Sequence, residues 1–269
     1  MKVKGSIVLI TGASGGIGAA TAKAMARKGG CVVLLARTQD ALEKVAADIS
    51  ASGGKARAYQ IDLTDAEAVV RVAKTITAQI GTPDILVNNA GAGRWLFADE
   101  TDPAEAVEMM AAPYFAAFYV TRAFLPDMLR RGSGHIVNIT SPASRIVWPG
   151  ATAYTAARWA MRGFTEALRS DLRGSGLRVT LGVLGKVSSA YWEHNPGSEE
   201  RLPKIATLIP TLTPEQAATA IVRGVERNAR EIVAPPMLRF IYLQHSLFPR
   251  LVEWMMNSTG WQRPQRRTG

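Results

Sequence analysis

The chain is poor in the residues that would staple it or hold a metal. Of its 269 residues one is cysteine, Cys31, so no internal disulfide forms, and the sequence fits a reducing, cytoplasmic setting. At the head of an apolar run, Cys31 is expected to be a small buried hydrophobe. The three histidines, His135, His194 and His245, lack metal-ligand spacing, and no metal site is expected. No stretch approaches the roughly 20 uncharged apolar residues that cross a bilayer, and the first apolar run is too short for a signal peptide. Acidic residues are in deficit: 22 Asp and Glu against 32 Lys and Arg leave a net charge of +10. Such an excess invites anionic partners, whether a phosphorylated ligand, a membrane surface or nucleic acid. The basic residues are scattered and carry no interleaved aromatics, which argues against nucleic acid. No composition shift marks a second domain.

What the chain does contain is a glycine-rich junction. Residues 6–18 read SIVLITGASGGIG, an apolar run followed by Gly12, Gly15, Gly16 and Gly18 and then at once by an Ala-rich helical pattern. Strand, glycine turn and helix in this order let backbone approach a pyrophosphate, while the helix N-terminus favours the anion. A glycine turn alone is weak evidence, since many such turns need positive φ for structural reasons only. The P-loop alternative requires Lys-Ser/Thr after the last glycine, and Ala19 and Ala20 stand there. A dinucleotide is expected rather than an NTP to be hydrolysed.

Apolar runs recur at 7–10, 32–35, 85–87, 135–139 and 179–184, with a last strand near 231–234. Helical spacing fills 40–52, 65–80, 104–130, 152–173 and 214–228. Strands alternating with helices predict an α/β fold, a doubly wound parallel sheet with helices on both faces. Ligands of such sheets bind at the carboxyl ends of the strands, so each strand end is read for chemistry. The second strand ends Leu35-Ala36-Arg37, a cation where NAD-binding sheets carry an acid, which favours NADP(H). The competing reading is an arginine that merely caps a strand. Asp62, before Leu63, is placed to accept a hydrogen bond from an adenine amino group. Ala90 and Gly91 are small enough for backbone to pass beside a ribose.

Five motifs stand in a fixed order: TGASGGIG at 11–18, Asp62-Leu63, NNAG at 88–91, HIVNITS ending at Ser141, and YTAAR from Tyr154. Together they resemble the classical short-chain dehydrogenases/reductases (SDR family) over about residues 5–235. The resemblance implies a single Rossmann-fold domain over 1–235 that includes the substrate loop; residues 236–269 lie beyond it and read by their own spacing as a C-terminal amphipathic helical extension. It implies an NADP-dependent alcohol/carbonyl oxidoreductase that is a homodimer or homotetramer. The cofactor contacts it implies are Gly12, Ser14, Gly15, Gly16, Ile17, Gly18, Arg37, Asp62, Leu63, Asn89, Ala90, Gly91, Tyr154, Arg158, Gly185, Val187 and Ser189.

By the same resemblance Tyr154 is the acid/base and Ser141 hydrogen-bonds the substrate oxygen. A free phenol has a pKa of about 10, so work near neutrality requires stabilising the phenolate by about 1.4 kcal/mol per unit. In the family a lysine four residues on does this; here Arg158 stands one helical turn away, a fixed cation that cannot release a proton. The family's catalytic asparagine falls on Pro113, thirteen residues before Pro126. Proline removes one donor, frees the Met109 carbonyl and kinks the helix; the kink is expected to keep a relay-water site without the side chain. In VLGKVSS, Leu184 replaces the family's proline, while Gly185 remains and Ser189 stands for a threonine near the nicotinamide carboxamide. Catalytic Ser141, Tyr154 and Arg158 therefore favour an enzyme. The alternative is a nucleotide-binding protein whose turnover is weak or lost.

The segments 93–97, 142–148 and 191–209 are expected to line the substrate pocket. Trp95, Phe97, Trp148, Tyr191 and Trp192 point to a small-molecule, lipophilic carbonyl or alcohol substrate, or to ordinary lid packing. Arg94 and Arg145 either bind an acidic group or are solvated. In the extension, Leu238, Ile241, Tyr242, Phe248, Leu251, Val252 and Met255 recur at helical spacing with a break at Pro249, followed by Arg263, Arg266 and Arg267. This element either packs over the active site, packs against another subunit, or makes a peripheral membrane contact.

Overall fold

A computed structural model describes residues 1–263, so Arg266 and Arg267 lie outside the described residues. Seven parallel strands form one sheet in the order β3-β2-β1-β4-β5-β6-β7. They are β1 Ile7–Thr11, β2 Cys31–Ala36, β3 Lys55–Gln60, β4 Ile85–Asn88, β5 Gly134–Thr140, β6 Leu177–Leu184 and β7 Glu231–Ala234. Alternate residues of each inner strand feed two cores. Val8, Ile10, Val32 and Leu34 pack with Met25 of α1 (Gly16–Arg27), Ile49 of α2 (Gln39–Ala51) and Ile221 of α8 (Pro214–Glu226). Leu9, Val33, Leu35 and Leu86 pack with Ile76 of α3 (Ala66–Gln79), Phe124 of α5 (Ala116–Arg131) and Leu168 of α6 (Thr152–Asp171). Strands buried on both faces explain why the runs read as continuously apolar. β3, at the sheet edge, instead alternates exposed and half-buried positions and carries Lys55 and Arg57, as an edge should.

Two expectations need correction. The stretch 104–130 is not one helix: α4 (Pro103–Met110) and α5 are joined by a π-helical turn, Ala111–Phe115. Pro113 has no N–H to give, Ala112 leaves helical geometry at φ −102°, and the Ala116 amide reaches back five residues to the Ala111 carbonyl. Cys31 is half-buried, because it opens β2 at the sheet's amino end.

The other α-helices among the described residues are α7 (Tyr191–His194), α9 (Met237–Leu247) and α10 (Pro249–Thr259), the last two separated where Pro249 begins a new first turn.

His135 on β5 is fully buried with Nε2 2.7 Å from Thr180 Oγ1. Thr180 gives its one hydroxyl proton to the Ala229 carbonyl, so Nε2 donates and the neutral Nδ1 is left without a partner among the described residues. Burial, then the positive N-terminus and Arg178, push the His135 pKa down to about 4. The unfolded chain, with an ordinary imidazole near 6.5, therefore binds the extra proton in the window from about 6.5 to 4. Stability contributed by this residue is complete above that window and falls as pH drops through it. Urea denaturation is expected to show about 3 kcal/mol of this loss between neutral pH and pH 4, and His135→Gln should remove that part of the slope.

Candidate active site

Because the strands run parallel, the residues that follow β1, β2, β3, β4, β5 and β6 gather at one edge. The register pairs Thr11 with Leu35, Ala36 with Gln60, and Asn88 with Asn138, so the glycine turn, Arg37, Asp62, Asn89 and Ser141 share this rim. The turn is held from behind by Thr11, whose Oγ1 accepts from the Asn89 and Ala90 amides at 2.9 and 3.0 Å. Asn89 Nδ2 returns a bond to the Thr11 carbonyl at 3.0 Å. Helix α1 has Gly15 as its N-cap residue, with no side-chain cap and no acid in its first turn, which leaves its amide N–H groups and positive dipole end facing the rim. Ser189 reaches across from the loop after β6, its Cβ 3.5 Å from where a Gly16 side chain would begin. In that loop the Gly185 amide donates to Ala234, and the Val187 carbonyl accepts from Trp192 Nε1 at 3.0 Å.

Arg37 is exposed beyond β2, near enough to Asp62 to act on its charge. The Asp62 carboxylate is held below its usual range mainly by the Thr64 amide and hydroxyl, at 2.9 and 2.8 Å on Oδ1, with a smaller contribution from Arg37. Leu63 beside it is buried.

Helix α6 carries Tyr154 and Arg158 one turn apart. Its anchor was not legible from the motifs: Asn88 Nδ2 donates to Asn138 Oδ1 at 2.8 Å and to Thr121, and Asn138 Nδ2 donates to Thr165 on α6 at 3.0 Å. Thr140 Oγ1 also donates to the Arg158 carbonyl. Tyr154 is buried, with its ring 5.3 Å from Trp95. The Arg158 guanidinium lies over that ring, Cζ 4.6 Å from its centre. Arg158 is itself buried; Nη2 donates to the Ala92 carbonyl at 3.3 Å, Nε has no partner, and no carboxylate pairs with it among the described residues. A buried cation without a counter-group is costly unless a ligand oxygen completes it. Gly91 leaves the space this guanidinium uses: a Cβ there would lie 3.0 Å from Nη1 and 3.5 Å from the Ala112 carbonyl of the π turn. It is the Ala112 carbonyl, then, that the Pro113 distortion sets beside Gly91 and Arg158. Ser141 Oγ accepts from the Ala143 amide at 3.2 Å, which leaves its proton for another acceptor.

The side where the sequence reading expects a substrate is an aromatic cluster. Trp95 packs on Trp148 at 5.1 Å and on Trp192 at 5.7 Å, with Tyr191 against Trp192. Tyr191 donates to the Gly93 carbonyl at 2.6 Å, and burial, then the neighbouring Tyr154, raise its pKa so that it stays protonated. Two residues with no motif signal stitch this wall. Asn195 Oδ1 accepts from the Gly93 amide and Ser198 Oγ from the Trp95 amide, at 3.2 and 3.0 Å, both side chains being buried. Three residues expected at the pocket lie elsewhere. Phe97 sits beneath Arg263, which pairs through both outer nitrogens with Asp99. Arg145 stacks on Tyr242 and donates to Ser246 Oγ at 2.6 Å, because α9 passes directly over it. Arg94 pairs with Glu105 on α4 at 3.6 Å.

The sequence pattern of the family described as short chain dehydrogenase matches residues 6–199. An uncharacterized oxidoreductase of Mycobacterium tuberculosis is 34% identical over 260 residues, 95% of this chain and 74% of the relative. A fatty acyl-CoA reductase of Acinetobacter baylyi is 32% identical over 257 residues, covering 95% of this chain and 84% of the relative. Among solved structures, a metagenomic short-chain oxidoreductase in complex with NADP aligns with a TM-score of 0.71 at 30% identity, covering 87% of this chain and 98% of that one.

Proposed function

The chain belongs to the short-chain dehydrogenase family, and from that premise we propose that it is an NADP(H)-dependent oxidoreductase interconverting a secondary alcohol and a carbonyl on a lipophilic substrate. The observation that carries the reading is Arg158, a buried guanidinium lying on the Tyr154 ring with Nε unpartnered and no carboxylate to answer it among the described residues. The rim suits the cofactor: an uncapped helix N-terminus for the pyrophosphate, exposed Arg37 for a 2′-phosphate, and the Arg158 fork for a ribose diol. When bound, the nicotinamide supplies or accepts the hydride.

The protein's own part is the proton. In the reductive direction Tyr154 gives its phenolic proton to the substrate oxygen as hydride reaches the carbon, and Ser141 donates a second hydrogen bond to that oxygen. Arg158 stabilises the phenolate that remains but cannot restore its proton, so that proton comes from a path that bypasses residue 158. Trp95, Trp148 and Trp192 exclude water and offer apolar faces, which favours a lipophilic substrate; the acyl-CoA substrate class in one relative's name agrees with this.

The test is NADPH consumption with a panel of hydrophobic ketones and aldehydes, in wild type and two variants of residue 158. Arg158→Lys is expected to keep kcat or raise it a few-fold, since an ammonium both holds charge and exchanges a proton. Arg158→Met should lose roughly a hundredfold. A Met variant as active as wild type would overturn the role given to the cation. The second reading, a nucleotide-binding protein with weak or lost turnover, is favoured by Pro113 and by the aromatic packing against Tyr154. It predicts NADPH binding with no carbonyl consumed by any variant.

A further inference from the structure

Helices α9 and α10 carry apolar side chains on two sides. Leu238 and Tyr242 of α9 and Val252 of α10 are buried with Ile146, Val183 and Val233. At 3.6 residues per turn, Phe240, Leu243 and Leu247 leave α9 on the side opposite that buried pair. They are not covered: Phe240 is 60% exposed and Leu247 63%, and on α10 Trp254 is 65% exposed. Phe248, between the helices, and Leu251 are exposed as well, so they do not share one face with the buried Leu238, Tyr242 and Val252 as the spacing suggested. A helix resting on a core normally turns charged residues outward; this pair turns out phenylalanine, leucine and tryptophan.

The border of this face is cationic. Arg239 and Arg250 are exposed and pair with no carboxylate among the described residues, and Glu253 is the one acidic residue between 237 and 263. We propose that α9 and α10 form a docking surface for an anionic lipid bilayer. The helices lie in the headgroup layer, with the exposed rings and leucines among the acyl chains and Arg239 and Arg250 on lipid phosphates. No helix among the described residues is long and apolar enough to cross a membrane, so the contact is interfacial. A second copy of the chain fits less well, because a two-fold contact would set each cationic border against its own image. Helix α10 packs beside the Lys204–Leu208 turn, in the loop whose Tyr191, Trp192 and Leu202 pack against the cluster that holds Tyr154. A lipophilic substrate would therefore pass from the bilayer to the site over a short path; this corollary rests on the proposed activity, whereas the surface does not.

The test sediments the full chain with phosphatidylcholine vesicles, with and without phosphatidylglycerol. Wild type is expected to pellet with the anionic vesicles and little with the neutral ones, and high salt should weaken binding several-fold. The triple variant Phe240→Ser, Leu247→Ser, Trp254→Ser should lose roughly tenfold or more. Because all three side chains are exposed, its thermal unfolding and NADPH binding should match wild type. Wild type that ignores anionic vesicles, or a triple variant that binds them equally, overturns the proposal. A wild-type dimer that the variant converts to monomer, without vesicle binding, assigns the face to a second copy and overturns it too. NADPH binding without vesicle binding removes only the surface; vesicle binding without NADPH binding removes only the activity.

Discussion

Tyr154→Phe is expected to lower kcat roughly a thousandfold while leaving NADPH affinity within about twofold. The substitution takes away one oxygen. The ring keeps its 5.3 Å packing on Trp95 and its place beneath the Arg158 guanidinium, so neither the fold nor the cation moves. What goes is the only proton donor that the proposed chemistry aims at the substrate oxygen as the carbonyl is reduced. Ser141 still polarises that oxygen, which sets a floor above the uncatalysed rate, but a serine hydroxyl that gives up its proton leaves a far more basic alkoxide. Single-turnover oxidation of NADPH measures the chemical step, and fluorescence titration measures binding. Undiminished turnover in the variant would sink the assignment of the acid. A wild type that binds NADPH yet consumes no carbonyl would favour the reading in which catalysis is lost.

The sequence made the rim legible because its chemistry lies in backbone-constrained motifs. Gly12 to Gly18, Asn88 to Gly91, Ser141 and Tyr154 each end a strand or begin a helix, and a parallel sheet brings all such ends together whatever the side-chain packing. Pro113 was legible as a break for the same local reason. Its outcome was not: a missing donor shows that the ladder fails, but not whether the helix bends, stops or winds into a π turn, and the neighbours of that turn, Gly91 among them, are distant in sequence. The aromatic wall beside Tyr154 was read only in part. Trp95, Trp148, Tyr191 and Trp192 cluster as their composition suggested, whereas Phe97, two residues from Trp95, is claimed by Arg263 from the far end of the chain. Asn195 and Ser198 carry no pattern at all, since a single buried side chain bonding to a loop amide leaves no period to detect. In α9 the spacing picked out Leu238, Ile241 and Tyr242, which do pack inward, but it passed over the second apolar set, Phe240, Leu243 and Leu247, that faces outward.

Within the glycine turn the structure separates residues that the motif treats alike, and Gly18→Ala is expected to have the larger cost by far. A Cβ on Gly18 would fall 2.1 Å from the Gly12 carbonyl oxygen and 2.7 Å from Asn89 Nδ2. Neither neighbour can yield. Gly12 sits at φ +65° with the Ala90 backbone 3.0 Å behind its own Cβ direction, and Asn89 is fixed by its bonds to the Thr11 and Gly12 carbonyls. The methyl group must therefore push the first turn of α1 away from β1, breaking the stitch that shapes the phosphate cradle. A loss of about 3 kcal/mol is expected, seen as a fall in Tm of about 8 °C, with NADPH affinity reduced roughly a hundredfold or more. Gly15→Ala is the control. Gly15 is extended at φ −171° and has nothing within 4 Å of its Cβ direction, so alanine should leave Tm within about 2 °C. Thermal unfolding and NADPH titration of the two variants side by side read the difference. Equal behaviour would mean that the close approach of α1 to Gly12 does not govern the site, and the cofactor cradle would have to be placed elsewhere on the rim.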